Sequence, residues 1–450
     1  MKKKLLLFLS VLFVFLCAGC AASEGAGANS GTSAEGAGGK EGGLSMLSSP
    51  AATPQGYYEL IEGSGSSRLI VYYDYATRQR VYLSSDASAA LDETSTAYIP
   101  SKNGAVSCYT DGEYLYAVGG GGVAALPEPL RGDAEPPYLL RMGLNGANRQ
   151  RLTFPLNQNI QWAYGAARDA EGCLYFTVFS LDAAKPVEEM SQTTLVRANF
   201  DTQKTEPLFT VNSQTQLRIT GVYDGKLLLQ KTVYDEDPSA VMAQSEGLRP
   251  RHELTLFDID AGEETPVLSF EKEDYKNQKI IYHDEKLYYM RPQSNAVYAY
   301  GLASETETVL CPDLPGDFFG PGADASLEGR IMDGKLFFTI SLPQAEGGSS
   351  DEPRAAALDL ATGERFFPNL TLTADAAKGP FIILPAAESS DYFFVHADSH
   401  EYTSLQSAPN GETYSVKLYA PVYKLILKDD YWHSRPNYID FEDHALPPQP

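Results

Sequence analysis

A short unit that recurs along this chain constrains its fold more than any other feature. Met332-Asp333-Gly334-Lys335-Leu336-Phe337-Phe338-Thr339 reads as a tight turn followed by an apolar, aromatic strand. Asp111-Gly112-Glu113-Tyr114-Leu115-Tyr116, Glu171-Gly172-Cys173-Leu174-Tyr175-Phe176 and Asp224-Gly225-Lys226-Leu227-Leu228-Leu229 share its form. Asp284-Glu285-Lys286-Leu287-Tyr288-Tyr289 and Ser390-Asp391-Tyr392-Phe393-Phe394 repeat it without the glycine. Asp-Gly suits a type I′ turn, which needs φ > 0 at both central positions. The copies lie roughly 50–60 residues apart, a spacing that points to a propeller or another repeat fold.

A second hairpin alternates with the first. Its turns fall at Ala76-Thr77-Arg78, Asn145-Gly146, Asp201, Asp260-Ala261-Gly262, Ser304-Glu305, Thr362-Gly363-Glu364 and Lys428-Asp429-Asp430. Amphipathic helical patterns are nearly absent, which favours an all-β chain. A β-propeller accounts for the alternation: each blade is a four-stranded antiparallel sheet, A–B joined by one tight turn and C–D by another. The Asp turns are then A–B, and the others C–D. The count predicts seven blades, with six as the alternative. The first blade begins late, which predicts either closure by a strand from the opposite terminus or an incomplete blade. The folded part spans 57–441, more than one ordinary core holds, but repeat units pack only on their neighbours.

Both termini read differently. Lys2, Lys3 and Lys4 precede the apolar run Leu5 to Leu16, too short to span a bilayer and suited to a signal peptide over 1–20. The run ends at Leu16-Cys17-Ala18-Gly19-Cys20, which resembles a bacterial lipoprotein signal. That resemblance implies diacylation of Cys20, with Cys17 standing where the pattern usually has Leu. Residues 21–56 read as a disordered Gly/Ala/Ser tether, with too little apolar surface to offset ordering entropy. Such a coil reaches roughly 30–35 Å. Residues 442–450 are a polar, Pro-rich tail.

The signal, the tether and the Asp-Gly-x-Leu-Tyr/Phe-Phe units together resemble uncharacterised bacterial lipoproteins with TolB-like or related β-propeller domains. So does Tyr72-Tyr73-Asp74-Tyr75-Ala76-Thr77 through Tyr82-Leu83. Some of those proteins follow it with a Cys- and His-rich segment. Here Ser84-Ser85-Asp86-Ala87-Ser88 follows, so no metal or disulfide role carries over. The resemblance implies an extracytoplasmic, membrane-anchored lipoprotein.

The net charge is −24. It repels nucleic acid and anionic headgroups and keeps an exported domain soluble. Apart from Cys20, the cysteines left after signal removal are Cys108, Cys173 and Cys311, an odd number in strand-like contexts. Buried thiols are the reading, not a disulfide framework.

Local signatures of chemistry are sparse. His396, Asp398 and His400 are the densest metal-like cluster, but nothing places them on one helix face. An exposed polar loop is the reading. Asp235-Glu236-Asp237 offers hard oxygens for Ca²⁺, yet consecutive carboxylates diverge. Asp258-Ile259-Asp260-Ala261-Gly262-Glu263 has its glycine at the fifth place, not the sixth, and reads as a turn. Gly119-Gly120-Gly121-Gly122 lacks the Lys-Ser/Thr of a phosphate loop. Arg131-Gly132-Asp133 is too short to weigh, and no Gly-x-Ser-x-Gly or His-Glu-x-x-His occurs. No cofactor is required, Ca²⁺ being the one candidate.

The long insertions, Gly119–Pro137, Ser180–Gln192, Asp235–Arg251, Pro343–Arg354 and Asp398–Tyr414, all fall between strands B and C. Strands alternate in direction, so these loops share one face of a propeller, where binding usually sits. Each of the first four carries −2. The predicted binding face is therefore acidic: Glu188, Glu189, Asp235, Glu236, Asp237, Asp351 and Glu352. The leading function is a lipid-anchored, monomeric binding or scaffolding module for protein, peptide or glycan. The alternative is a carbohydrate-active propeller enzyme, a lyase or glycoside hydrolase, with acid/base residues at the channel mouth. Fold alone does not choose between them.

Overall fold

The computed structural model describes residues 43–47, 50–63, 67–84, 90–102, 106–119, 135–182, 185, 190–234, 250–271, 279–291, 294–320, 322–342, 353–372, 381–407 and 413–445. It is all-β, with seven four-stranded antiparallel blades and 4% helix. The inner strands A of blades 1 to 7 are Ala52–Thr53, Val106–Thr110, Ala166–Arg168, Thr215–Tyr223, Ile281–His283, Asp324–Met332 and Pro385–Glu388. Strands B, C and D follow outward in chain order in every blade.

The core is a ring of interfaces rather than one centre. Leu115 and Leu140 of blade 2 pack with Tyr58 and Ile70 of blade 1. Tyr116 and Leu139 meet Phe176 and Val196 across blades 2 and 3. Similar clusters join blades 3 and 4, 4 and 5, 5 and 6, and 6 and 7. The last joins Phe394 and Leu425 of blade 7 to Tyr57, Val71 and Tyr73 of blade 1, so the ring is closed. Alternation along each strand supplies one apolar row to each neighbouring blade. Cys108, Cys173 and Cys311 are free thiols in three different interfaces. Burial pushes the Cys108 thiol up to about 12.

The A–B turns divide by backbone. Asp224-Gly225, Asp333-Gly334 and Asp284-Glu285 hold positive φ at both positions, as a type I′ turn requires. At Asp111-Gly112 and Glu171-Gly172 only the glycine is left-handed, and neither Ser390 nor Asp391 is. The C–D turns have a signature of their own. Asp74, Asn199, Asp258 and Asp359 each accept two backbone N–H groups from the turn they open. Arg78, Gln203, Gly262 and Gly363, four residues on, close those turns with positive φ. Asp258-Ile259-Asp260-Ala261-Gly262-Glu263 is thus the hairpin turn its spacing implied. The seventh C–D connection differs from a hairpin: Lys428–Trp432 is a short helix, and strand D is only Tyr438–Ile439.

Both ends of the folded part extend past 57–441. Ala52–Thr53 completes blade 1 from inside, so that blade needs no borrowed inner strand. Glu442–Asp443 joins it from outside, parallel to Gln79–Arg80. Arg80 secures this addition through Asp443 at 2.9 Å and the Ala445 carbonyl at 2.7 Å.

Upstream, Ser45–Met46 forms an axial strand, paired antiparallel with Arg168 and Ala167 on the free inner edge of blade 3. Leu44 and Met46 pack into the interface of blades 3 and 4, and Leu47 into that of blades 2 and 3. These three apolar side chains separate this segment from the Gly/Ala/Ser stretch before it, with which the sequence reading grouped it.

Candidate binding face

Two faces follow from the topology: a turn face with the A–B and C–D turns, and a loop face with the B–C and D–A connections. The axial strand runs between them. Gly43 sits against Ala170 in the A–B turn of blade 3. The Leu47 N–H then donates to the Ala166 carbonyl at 2.9 Å, at the start of inner strand A. The chain therefore arrives at the turn face and climbs the axis toward the loop face.

On the loop side of that strand the axis carries a polar, aromatic cluster. The inner line of blade 3 is broken: Gln158–Ile160 pairs with the loop end of strand B, Ala166–Arg168 with its turn end. A one-turn 3-10 helix, Trp162–Tyr164, fills the gap. It buries Trp162 among Tyr109, Tyr116 and Phe176 and leaves Tyr164 37% exposed. Gly165 makes the junction possible. Its φ is +97°, and a Cβ there would lie 1.9 Å from the Ile219 carbonyl oxygen of blade 4.

Arg218 of blade 4 stands over the Tyr164 ring at 5.7 Å. Register places Arg218 opposite Gln230, and Thr232 opposite His252. The Thr232 hydroxyl and His252 Nδ1 are 3.2 Å apart. Burial, and then the Arg218 charge, push the His252 imidazole down to about 4, so it is neutral at pH 7. Thr220 bulges out of the inner strand between Ile219 and Gly221. Its Oγ1 and the Gln230 Oε1 are buried with no hydrogen-bond partner among the described residues. A guanidinium, an amide, a neutral imidazole, a hydroxyl and an open aromatic ring can hold hydroxyl and carbonyl groups of a ligand. Nothing in the sequence marks these residues as a set, because blade register brings them together.

The sequence-predicted residues fall differently. Cys20, Glu188, Glu189, Asp235, Glu236, Asp237, Asp351 and Glu352 lie outside the described residues. The flanks of their insertions are described and end at the loop face, where Ser180 pairs with Gln192 and Val233 with Arg251.

His396, Asp398 and His400 are not in a loop. They lie on strand B of blade 7, Tyr392–Ser407, which pairs with Thr413–Leu427 along its whole length. A bulge at Ala397 makes His396 and Asp398 oppose successive residues, Tyr423 and Val422. His396 therefore points to the opposite side of the ribbon from Asp398 and His400. Its Nε2 is 3.0 Å from Ser399 Oγ, and Asp398 accepts the Ser399 N–H at 2.8 Å. Among the described residues no group of three or more His, Cys, Asp or Glu is placed to hold a metal.

The class this architecture defines is the seven-bladed β-propeller. Among solved structures the chain is similar to the β-propeller domain of the Trilobed protease from Pyrococcus furiosus, at 12% identity and TM-score 0.43, covering 90% of this chain and 100% of that one. It is similar to Pyrococcus horikoshii acylaminoacyl peptidase at 13% identity and TM-score 0.45, over 86% of this chain and 51% of that one. It is also similar to TolB from Acinetobacter baumannii at 12% identity and TM-score 0.32, over 85% and 77%. No protein-family profile and no curated protein matches the chain. Among the described residues no helix is long and apolar enough to cross a membrane.

Proposed function

We propose that this protein is a lipid-anchored extracytoplasmic β-propeller that binds protein, peptide or glycan on its loop face. The observation that supports this reading is the polarity of the axial strand. The chain from the anchor arrives at the turn face, beside Ala170. The loop face is the opposite one and points away from the point of attachment. Acylation at Cys20 holds the protein at the membrane, because two or more acyl chains anchor stably. The acidic loops supply the contacts, and exposed charge of this kind is screened beyond about 8 Å at physiological ionic strength.

Two experiments test it. Cys20→Ala releases the protein from the membrane fraction; unchanged fractionation with no acyl group on the mature N-terminus rejects the anchor. Pull-down from the native envelope, at low and high salt, compares the wild type with a variant neutralised at Glu188, Glu189, Asp235, Glu236, Asp237, Asp351 and Glu352. Loss of retained protein or glycan in the variant, and weakening with salt in the wild type, is the expected result. An identical set in all four conditions rejects the acidic loops as the site.

The cluster around Arg218 supports the second reading, a carbohydrate-active enzyme. A neutral His252 close to Arg218, which stands over Tyr164, is what proton transfer on a sugar would use. Release of reducing ends or unsaturated products from acidic polysaccharides, lost in His252→Ala, is the assay that separates the two.

A further inference from the structure

Blade 7 carries a strand pair that the blade itself does not use. Tyr392–Ser407 and Thr413–Leu427 run 16 and 15 residues, but their neighbours are short. Inner strand Pro385–Glu388 pairs only with Phe393–Val395, and outer strand Tyr438–Ile439 only with Leu425 and Ile426. Beyond the blade the pair continues on the loop side as a two-stranded ribbon, roughly 30 Å long at the usual rise per residue. Among the described residues, Asp398–Ser407 has no backbone pairing except with the other strand of the ribbon. Strand order puts its free edge on the inner side, toward the axis.

The two edges are not equivalent. The outer one carries Lys417 and Pro421, devices that block strand addition. The inner one, Asp398–Ser407, contains no Lys, Arg or Pro, and exposes Asp398, His400, Glu401 and Thr403. A free edge without such guards is a template for an added strand, with main-chain hydrogen bonds supplying affinity and alternate side chains supplying selectivity. Charge decides the occupant. A second copy brings another net −24 and a second acidic edge. A basic segment meets the exposed Asp398 favourably and competes with Lys417, 2.8 Å away, for Glu401.

We propose that the inner edge of this ribbon, Asp398–Ser407, accepts an extended, lysine- or arginine-bearing segment of a partner protein as an added strand. The proposal rests on the reading of the loop face as the binding face, and narrows it to one edge and one kind of partner.

The probe is an array of nonapeptides carrying one to four lysines, with glutamate counterparts, tested against the wild-type protein. In a shortened variant Ser399–Pro421 is replaced by Asn-Gly, so that Asp398 and Val422, which pair in the ribbon, flank a two-residue turn. The blade core at Phe393, Phe394, Leu425 and Ile426 is untouched there, and an unchanged melting temperature checks the fold. Lysine peptides should bind the wild type, protect alternate amides of Asp398–Ser407 from hydrogen exchange, and bind the shortened variant at least about tenfold more weakly. Asp398→Lys with Glu401→Lys should shift the preference to the glutamate peptides. Equal binding to the shortened variant, no binding by any lysine peptide, or protection that grows with protein concentration alone and accompanies dimer sedimentation overturns the proposal. A failed Cys20 fractionation beside intact peptide binding rejects the anchor and leaves the edge standing.

Discussion

The turn face and the loop face are built from the same strands and differ in what their acidic residues do. On the turn face three acids are engaged by the fold. Asp111 accepts the N–H groups of Glu113 and Tyr114 through Oδ1, and the Tyr116 hydroxyl and Arg168 through Oδ2. Arg168 belongs to blade 3, so this turn fastens two blades. Asp169 repeats the pattern with the Cys173 N–H and the Tyr175 hydroxyl. Asp333 takes the Trp432 indole N–H at 2.9 Å and pairs with Lys335 and Lys428. Toward the loop face the inner line of blade 3 is broken by the 3-10 turn that exposes Tyr164, and the inner strand of blade 4 bulges at Thr220, whose Oγ1 is buried without a partner among the described residues. The comparison teaches that in this chain regularity marks what holds the ring, and irregularity marks what is left for a partner.

The comparison breaks first at Asp111. Its side chain is 3% exposed and holds Arg168 at 2.9 Å. Asp111→Ala leaves a buried hydroxyl and two amides short of an acceptor, and leaves Arg168 with the exposed Glu113 alone. Removing one partner of such a pair costs about 3–5 kcal/mol. Denaturant melts should show that loss, and Asp111→Asn, which keeps an acceptor for the amides, should lose less. A change under about 0.5 kcal/mol, the scale of ordinary surface substitutions, would mean the turn acids do not hold the ring.

The next effect is backbone strain. Gly334 has φ +65°, and a Cβ there would meet nothing within 4 Å. Gly334→Val therefore isolates the left-handed conformation from any clash, at about 1–3 kcal/mol. A neutral result in the same melts would show that the turn relaxes to another type.

These two positions also show what a sequence makes legible. Asp-Gly before an aromatic run encodes its turn within a few residues, so the hairpins, their spacing and the seven blades could be read directly. Asp284-Glu285 reaches the same conformation without glycine, because the flanking pairs His283–Lys286 and Tyr282–Leu287 fix the register. The C–D signature, an Asp or Asn four residues before a left-handed residue, was equally present in Asp74, Asn199, Asp258 and Asp359, but only hydrogen bonding identifies it. What lay beyond reach was set at long range. Tyr164 meets Arg218 because a 3-10 turn breaks blade 3, and the axial strand pairs with a blade more than a hundred residues later in the chain. The ribbon of blade 7 read as a loop because its first strand, Asp398–Ser407, is too polar to show the apolar alternation of a blade strand.

A smaller effect is titratable. His252 is buried and neutral, with its proton affinity pushed down to about 4. In the unfolded chain the ring titrates near 6.5. Between those values the unfolded state binds the proton and the folded state does not, so stability falls as pH drops from about 6.5 toward about 4. The loss owed to this residue should be roughly 1–2 kcal/mol once partial solvent screening is counted. Parallel melts of the wild type and His252→Gln should show the variant less sensitive across that window. Identical slopes would place the ring in water at the loop face, not under it.

The smallest effect sharpens the comparison most. Neutralising Glu188, Glu189, Asp235, Glu236, Asp237, Asp351 and Glu352 together changes as many charges as any variant here, and all seven lie outside the described residues. Had these acids the role of Asp111, seven losses would unfold the protein. If they serve a partner, folding has no use for them. Removing like charges from a molecule at −24 would even relieve some repulsion. Ordinary surface changes stay within about 0.5 kcal/mol, and here self-repulsion works in the variant's favour. Its melting temperature should match or slightly exceed that of the wild type, at low salt more than at high. A drop of several degrees would show that the loop acids are structural after all, and the division between the two faces would fall with them.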